Sequence, residues 1–361
     1  MKNWQETARL FNEIARLMSE GRNGALAVIV ALEGSGYRAP GAKLLVRDDG
    51  SMIGNVSGGC LENDVMENSV AAMKTGRPKL LHYNTGGTED TIWGLGVGCG
   101  GKVDVLVIPL SVKGLADAVE PIRELAQGDE PFCISMVVGG ASAQGRTFAS
   151  GAGGQSVSTG DASLDRFVEA ESKKAMGERS TRLAAEGDTR LFTEFLLPPP
   201  RLLVCGGGDI SRPVARLASE AGFRVSVVDH RPAYLAESRF PDAVSLIAGR
   251  AEDAVLGFEL GPEVLAVVMF HILAHDKAWV SRLASQPVPY IGILGSRSRQ
   301  GDIVEGLTEE QQSRVYGPVG LDIGAVGPEQ MAVSIVAEVL AVYSQRTPGH
   351  LRDRQKPIHE K

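Results

Sequence analysis

Apolar positions follow two regimes along the chain. In the first, stretches at helical spacing alternate with short apolar runs of strand length. Trp4, Ala8, Phe11, Ile14, Ala15 and Met18 recur every three or four residues and predict an amphipathic helix over 3–19. The run LAVIVAL, 26–32, predicts a buried strand. A second strand, Lys43 to Arg47, follows the loop EGSGYRAPGAK, and Asp48-Asp49-Gly50 is a hairpin turn signal. After Cys60, a stripe of Leu61, Val65, Met66, Val70 and Met73 predicts a helix to about Met73. Residues 94–110 read as a glycine-rich loop entering a strong strand, Leu115 to Ala126 as a helix and Phe132 to Val138 as a strand. Residues 139–163, rich in Gly, Ser and Ala, read as irregular hairpins or a flexible excursion, and helix-permissive charged sequence runs on to Gly187.

Pro198-Pro199-Pro200 marks the boundary to the second regime, in which strand and helix patterns alternate as in a parallel sheet with covering helices. The predicted fold class is α/β. A mixed α/β domain occupies 1–195, a Rossmann-like, doubly wound parallel-sheet domain 196–345, and a flexible tail 346–361. Within Leu202 to Arg231 the order is strand, Gly206-Gly207-Gly208, helix, strand, Asp229. The spacing Gly206-x-Gly208-x-x-Ser211 is a dinucleotide-type fingerprint. The first glycine makes the turn, the second lets backbone approach a pyrophosphate, and a small third residue lets helix pack on strand. Asp229, 23 residues beyond Gly206, ends the second strand, where a carboxylate meets a ribose hydroxyl. Gly207 and Asp209 complete the loop, and Arg231 leaves room for a phosphorylated nucleotide or a different one; the alternative is a Rossmann scaffold whose loop binds no dinucleotide. His271 and His275, four apart, could share a helix face and hold a metal, with Asp276 beside the second. The plainer alternative is loop histidines with hydrogen-bonding roles. Ser296 and Arg297 end the strand PYIGIL, where residues line the ligand crevice, and Arg297 suits a phosphate or carboxylate.

Charge narrows the partners. A net charge of −7 argues against nucleic acid gripped through its phosphates. A charged and polar start argues against a signal peptide, and the longest apolar run, Ala25 to Leu32, is too short for a membrane span. The expectation is a cytoplasmic protein. Four widely spaced cysteines make no disulfide framework. Two of them, Cys60 in Ser57-Gly58-Gly59-Cys60 and Cys99 in Gly98-Cys99-Gly100-Gly101, sit against glycines. Bare backbone lets a large ligand approach, and the Ser57, Gly58 and Gly59 amides could form an anion nest. A thiol at a helix start is placed to ligate a soft metal, accept sulfur or attack an electrophile. The alternative is that both are small buried residues at tight turns. Cys133 and Cys205 read as core.

The blocks GSGYRAPGAKLLV, SGGCLENDV, GVGCGGKVDVLVIPL, PPPRLLVCGGGD, YIGILGSRSR and GPVGLDIGAVGPEQMAVSIVAEVLA, in that order, resemble the xanthine dehydrogenase accessory factor (XdhC/CoxI) family from about Ala25 to Val342. The resemblance implies an N-terminal domain with the SGGC and GCGG loops and a C-terminal Rossmann domain. It implies binding of molybdenum cofactor (molybdopterin), support of its sulfuration and delivery to a molybdenum hydroxylase of the xanthine dehydrogenase type. A sulfurtransferase is a further implied partner. Cys60 and Cys99 become the molybdenum or sulfur contacts, Gly206, Gly208 and Asp229 the nucleotide-type site, and Ser296 and Arg297 the family's GSR. The chain departs from the family's Thr-His-Asp-His run, which reads Phe270-His271-Ile272-Leu273 here, with His275 new and Asp276 further on. Gly207 and Asp209 stand where Ala and His are frequent. A phosphate-binding glycine loop and thiolates suit the two ends of a pterin-dithiolene cofactor, and a cleft between domains would shield it. A cleft walled by glycine loops favours a homodimer. On this reading the chain is a cofactor-binding chaperone rather than an enzyme. The alternatives are an NAD(P)-dependent oxidoreductase using His271, His275 or Asp276 as proton donor, and a silent adaptor that docks a hydroxylase.

Overall fold

The computed structural model describes residues 2–34, 36–84, 101–140, 143–155 and 160–354. The run LAVIVAL lies in β1 (Gly24–Glu33), and it is apolar throughout because both its faces are covered. Ala25, Ala27 and Ile29 point to one side, and Leu26, Val28 and Val30 to the other, as the two-residue period of a strand requires. The chain divides into two compact units, Met1–Pro198 and Pro199–Lys361.

The first unit is built twice from one plan. Helix α1 (Lys2–Ser19) leads into β1, β2 (Lys43–Arg47) and β3 (Met52–Gly54), then α2 (Glu62–Thr75), then the hairpin β4 (Lys79–Asn84) and β5 (Lys102–Pro109). The sheet is antiparallel with order β3-β2-β1-β5-β4. The same succession follows: α3 (Lys113–Gln127), β6 (Phe132–Gly139), β7 (Thr147–Gly151), β8 (Gly154–Gln155), α4 (Ala162–Glu178), β9 (Arg182–Glu186) and β10 (Thr189–Leu196). The second sheet, also antiparallel, has the matching order β8-β7-β6-β10-β9. Helices α1 and α3 pack together between the sheets, their Phe11, Ile14, Leu115 and Ile122 joining Leu26 and Ile108 of one sheet and Ile134 and Phe192 of the other. Val65 and Ala72 of α2 cover the outer face of the first sheet, and Leu164, Phe167 and Val168 of α4 that of the second.

A fully buried ion pair crosses this apolar middle layer. Lys43 shares its face of β2 with Leu45, and Glu194 lies between Phe192 and Leu196 on the inner face of β10. Lys43 Nζ donates to Glu194 Oε2 at 2.6 Å, to Thr7 Oγ1 at 2.9 Å and to the Gly41 carbonyl at 2.9 Å. Asn3 Nδ2 donates to Glu194 Oε1 at 3.3 Å. All three ammonium protons are used, and the two side chains are 1% and 0% exposed.

In the second unit six parallel strands form one sheet: β11 (Arg201–Cys205), β12 (Arg224–Asp229), β13 (Ser245–Ala248), β14 (Val264–Val268), β15 (Tyr290–Ile293) and β16 (Val315–Tyr316). The spatial order is β13-β12-β11-β14-β15-β16, so by sequence rank it runs third, second, first, fourth, fifth, sixth. That is the Rossmann order, with the connection reversing between β11 and β14, where ligands bind in this architecture. Helices α5 (Ser211–Glu220), α6 (Leu273–Ala284), α7 (Arg297–Val304), α8 (Glu309–Gln312) and α9 (Pro328–Tyr343) connect and cover the strands. Helix α5 packs with α9 and α6 with α7.

Removing one partner of a buried ion pair strands the other charge in a dry interior. Lys43→Met is therefore expected to cost about 3–5 kcal/mol in urea unfolding, and Lys43→Met with Glu194→Leu to recover most of it. A single variant as stable as the parent would show that the pair carries no such constraint.

Candidate functional site

The first sheet sends three connections out in one direction. Glu33, at the end of β1, pairs with Lys102 at the start of β5, which also pairs with Asn84 at the end of β4, and Leu44 pairs with Gly54. The links 34–42, 55–61 and 85–101 therefore leave the sheet in the same direction, but Lys43 and Gly54 stand level with Val28 and Ala27, set back from the Glu33–Lys102–Asn84 end. Cys99 belongs to the third and lies outside the described residues. Gly54 has φ +87°, and a Cβ there would run into the Lys43 carbonyl, so the turn into the SGGC segment needs glycine. The Tyr37 ring from the first link lies over Gly58, 3.4 Å from where a Cβ would stand.

Ser57 and Glu62 hold the SGGC segment in shape. The Ser57 hydroxyl accepts from the Gly59 and Leu61 amides, each at 3.1 Å, and donates to Glu62 Oε2. Glu62 Oε1 accepts from the Ser57 amide at 2.8 Å and from the Val56 amide at 3.2 Å. The expected nest is thus occupied in part from within: Ser57 N–H serves Glu62 and Gly59 N–H serves Ser57. Gly58 N–H and Cys60 N–H have no such partner among the described residues. Burial raises the Glu62 pKa, but the Ser57 hydroxyl and the two amides outweigh it and hold the carboxyl below its ordinary value. Two residues on, Asp64 takes the Tyr83 hydroxyl and ties α2 to β4. Cys60 itself is half-buried and stands just ahead of α2. Cys133 and Cys205 are buried in their sheets.

At the edge of the second unit each fingerprint residue has a definite neighbour. Gly206, at φ +113°, lies so close to Met269 that a Cβ would be 2.9 Å from its carbonyl group. Gly207 lies against Tyr234, whose carbonyl would stand 2.8 Å from a Cβ, whereas the space beside Gly208 is open. Ser211, buried, reaches Met269 Sδ at 3.7 Å and seats α5 on the neighbouring strand, the task of the third small residue. Asp229 is 0% exposed. Its Oδ2 accepts from Gly207 N–H at 2.7 Å and Arg231 Nη2 at 2.8 Å, its Oδ1 from Arg231 N–H and Nε, both at 2.9 Å. Burial opposes its ionisation, but Arg231 and the amides hold its pKa below the ordinary value. Asp209 is exposed and pairs with Arg239, which also donates to the Gly207 carbonyl at 3.0 Å.

The two histidines singled out by their spacing lie on different structure. His271 is exposed, with φ +62°, in the link ahead of α6, while His275 is inside α6, so they share no helix face. His275 stacks instead on His230, ring centroids 4.4 Å apart at 28°. Burial depresses the His230 pKa, against the pull of Asp229. Sequence reasoning misses His230 because its neighbours Asp229 and Arg231 carry the obvious charges; only its place beside the end of β12 could flag it. Asp276 is buried, accepts from Phe270 N–H at 3.1 Å and Arg299 Nη2 at 2.6 Å, and so fixes the turn after β14 to α7. Ser296 caps α7, and Arg297 is exposed beside it. Among the described residues no group of three His, Cys, Asp or Glu side chains is arranged to hold a metal.

Two family models match the chain, one described as the XdhC and CoxI family over residues 17–84 and one as the XdhC Rossmann domain over residues 202–339. A Bacillus subtilis protein, named as a probable subunit of xanthine dehydrogenase, is 33% identical over 326 residues, covering 90% of this chain and 94% of its own. The chain belongs to the XdhC and CoxI family. The Escherichia coli molybdenum cofactor insertion chaperone PaoD is likewise 33% identical, over 91% of this chain and 86% of its own. A solved structure from Bacillus halodurans, described as a xanthine dehydrogenase, superposes with a TM-score of 0.74 at 27% identity, covering 94% of this chain and 96% of that one. The XdhC/CoxI match at 17–84 contains Cys60 and its Ser57–Glu62 brace, and the XdhC Rossmann match contains the glycine loop, Asp229, His275 and Ser296.

The Glu62 brace has a pH signature. A carboxylate whose folded pKa is depressed stabilises fully above its unfolded value, about 4.3, and loses that contribution as pH falls through the lower folded value. The protection of the Ser57 and Val56 amides against hydrogen exchange, measured relative to the intrinsic rate at each pH, should therefore fall below about pH 4. In Glu62→Ala, which removes the acceptor, both amides should already exchange quickly at neutral pH and show no further acid response.

Proposed function

We propose that this chain is an accessory protein that takes up molybdenum cofactor and hands it, sulfurated, to a molybdenum hydroxylase of the xanthine dehydrogenase type. The observation that carries the proposal is the match, over 91% of the chain, to a relative named as a molybdenum cofactor insertion chaperone. The chemistry of the SGGC segment supports it. A soft thiol on bare backbone, braced by Ser57 and Glu62, suits a soft metal or a transferable sulfur. Cys99 is assigned the same role on sequence grounds. The amides of Gly58 and Cys60, which have no partner among the described residues, suit an anionic group on the cargo, and at the other unit Gly208, Ser296 and Arg297 suit a phosphate.

The division of labour is that this chain's residues bind, orient and shield, while the metal chemistry belongs to the cargo. The proposal extends to a sulfurtransferase as sulfur donor and to a homodimer as the carrying form. No helix among the described residues is long and apolar enough to cross a membrane.

Protein purified from cells that make the cofactor should release a pterin detectable by mass spectrometry. Cys60→Ala should retain at least about tenfold less and fail to activate the hydroxylase, while its thermal unfolding midpoint stays put. Undiminished pterin and undiminished activation in Cys60→Ala would return the thiol to a packing role.

A further inference from the structure

A Rossmann sheet implies a nicotinamide dinucleotide, and the residues of this one do not fit it. In that architecture the adenosine ribose sits at the end of the second strand and hydrogen-bonds the acidic residue there. Here that residue is Asp229, and both its oxygens are taken: Gly207 N–H and three donors of Arg231 occupy two positions on each. A carboxylate offers about four lone-pair sites, so none is left for a ribose.

The neighbouring space is filled by the same segment. The Arg231 guanidinium lies 3.7 Å above the Tyr234 ring, and Arg239 stacks more loosely at 5.4 Å. The Tyr234 backbone presses on Gly207, and Arg239 holds the Gly207 carbonyl and Asp209 from outside. Residues 231–239 thus fold over the outer side of the glycine loop and bind it by hydrogen bonds, ring stacking and van der Waals contact. The space beside Gly208 stays open.

We infer that Arg231 and Tyr234 fill the nucleoside half of this site with the chain's own atoms, and that they, rather than the glycine loop, set its ligand specificity. On this reading the site refuses NAD(H) and NADP(H). The inference rests on reading this sheet edge as a ligand site. Its test uses nicotinamide dinucleotides and no pterin, so its failure would leave cofactor carriage standing.

The experiment is titration of NADH and NADPH into the full chain freed of small molecules, followed by nicotinamide fluorescence. The wild-type protein should show no saturable binding below about 1 mM. Tyr234→Ala and Arg231→Ala should each gain at least about tenfold in affinity for NADH, the scale of one hydrogen bond to a charged group. The gain for NADPH should be smaller, because the uncovered Asp229 repels a 2′-phosphate. Thermal unfolding checks each variant, and if Tyr234→Ala does not fold, Arg231→Gln, which keeps the ring in place, supplies the readout. Micromolar binding by the wild type, or folded variants that still refuse both dinucleotides, would overturn the inference.

Discussion

The structure of the first unit depends on a charge pair placed where charge is most costly. Lys43 and Glu194 meet inside an apolar layer, one on each of two sheets built to the same plan. A hydrophobic layer is non-directional and would tolerate the sheets sliding across α1 and α3. An ammonium that must satisfy Glu194, Thr7 and the Gly41 carbonyl together admits one arrangement only. The same residue ends the link 34–42 and touches the turn at Gly54 through its carbonyl. The anchor between the sheets is therefore also the floor beneath the connections that leave the first sheet.

That floor gives the SGGC segment a fixed base, and Ser57 and Glu62 give it a fixed shape. Duplication adds a contrast. In the second copy, the connection matching Ser57–Cys60 runs from β8 to α4, and its residues, 156–161, include no cysteine. One plan thus serves two ends: the second copy packs, and the first carries a thiol. The Rossmann unit shows the opposite economy. Its glycine loop keeps the tight backbone approaches that a dinucleotide fold needs, at Gly206 against Met269 and at Ser211 beside it. The charged residues that would greet a nucleoside have turned to one another.

Much of this is legible in the sequence, for identifiable reasons. LAVIVAL reads as a doubly covered strand because no polar residue interrupts it. The parallel sheet follows from regular βα alternation, and its glycine loop from a fingerprint flanked by strand and helix. The second sheet is harder to read. β7 and β8 are short and lie in a stretch rich in Gly, Ser and Ala, and β9 lies at the end of a charged stretch that reads equally well as helix. The internal duplication is a likeness of order and pairing, which no residue pattern announces. Partnerships are least legible of all. Lys43 and Glu194 are 151 positions apart, and only the packing of two sheets decides that they meet. Asp229 does end the second strand as its spacing predicts, but nothing in the string DHR says that Arg231 turns back to close on it. Spacing couples His275 to His271, four residues away, and its ring lies on His230 instead.

Under the proposed function, the Cys60 thiol, braced by Ser57 and Glu62, meets the metal of the cargo. Molybdenum K-edge absorption on the loaded protein tests it most directly. The expected spectrum shows a thiolate sulfur bound to the metal beyond those of the pterin, absent when loaded Cys60→Ser protein is measured. Identical spectra from the two proteins would contradict the claim.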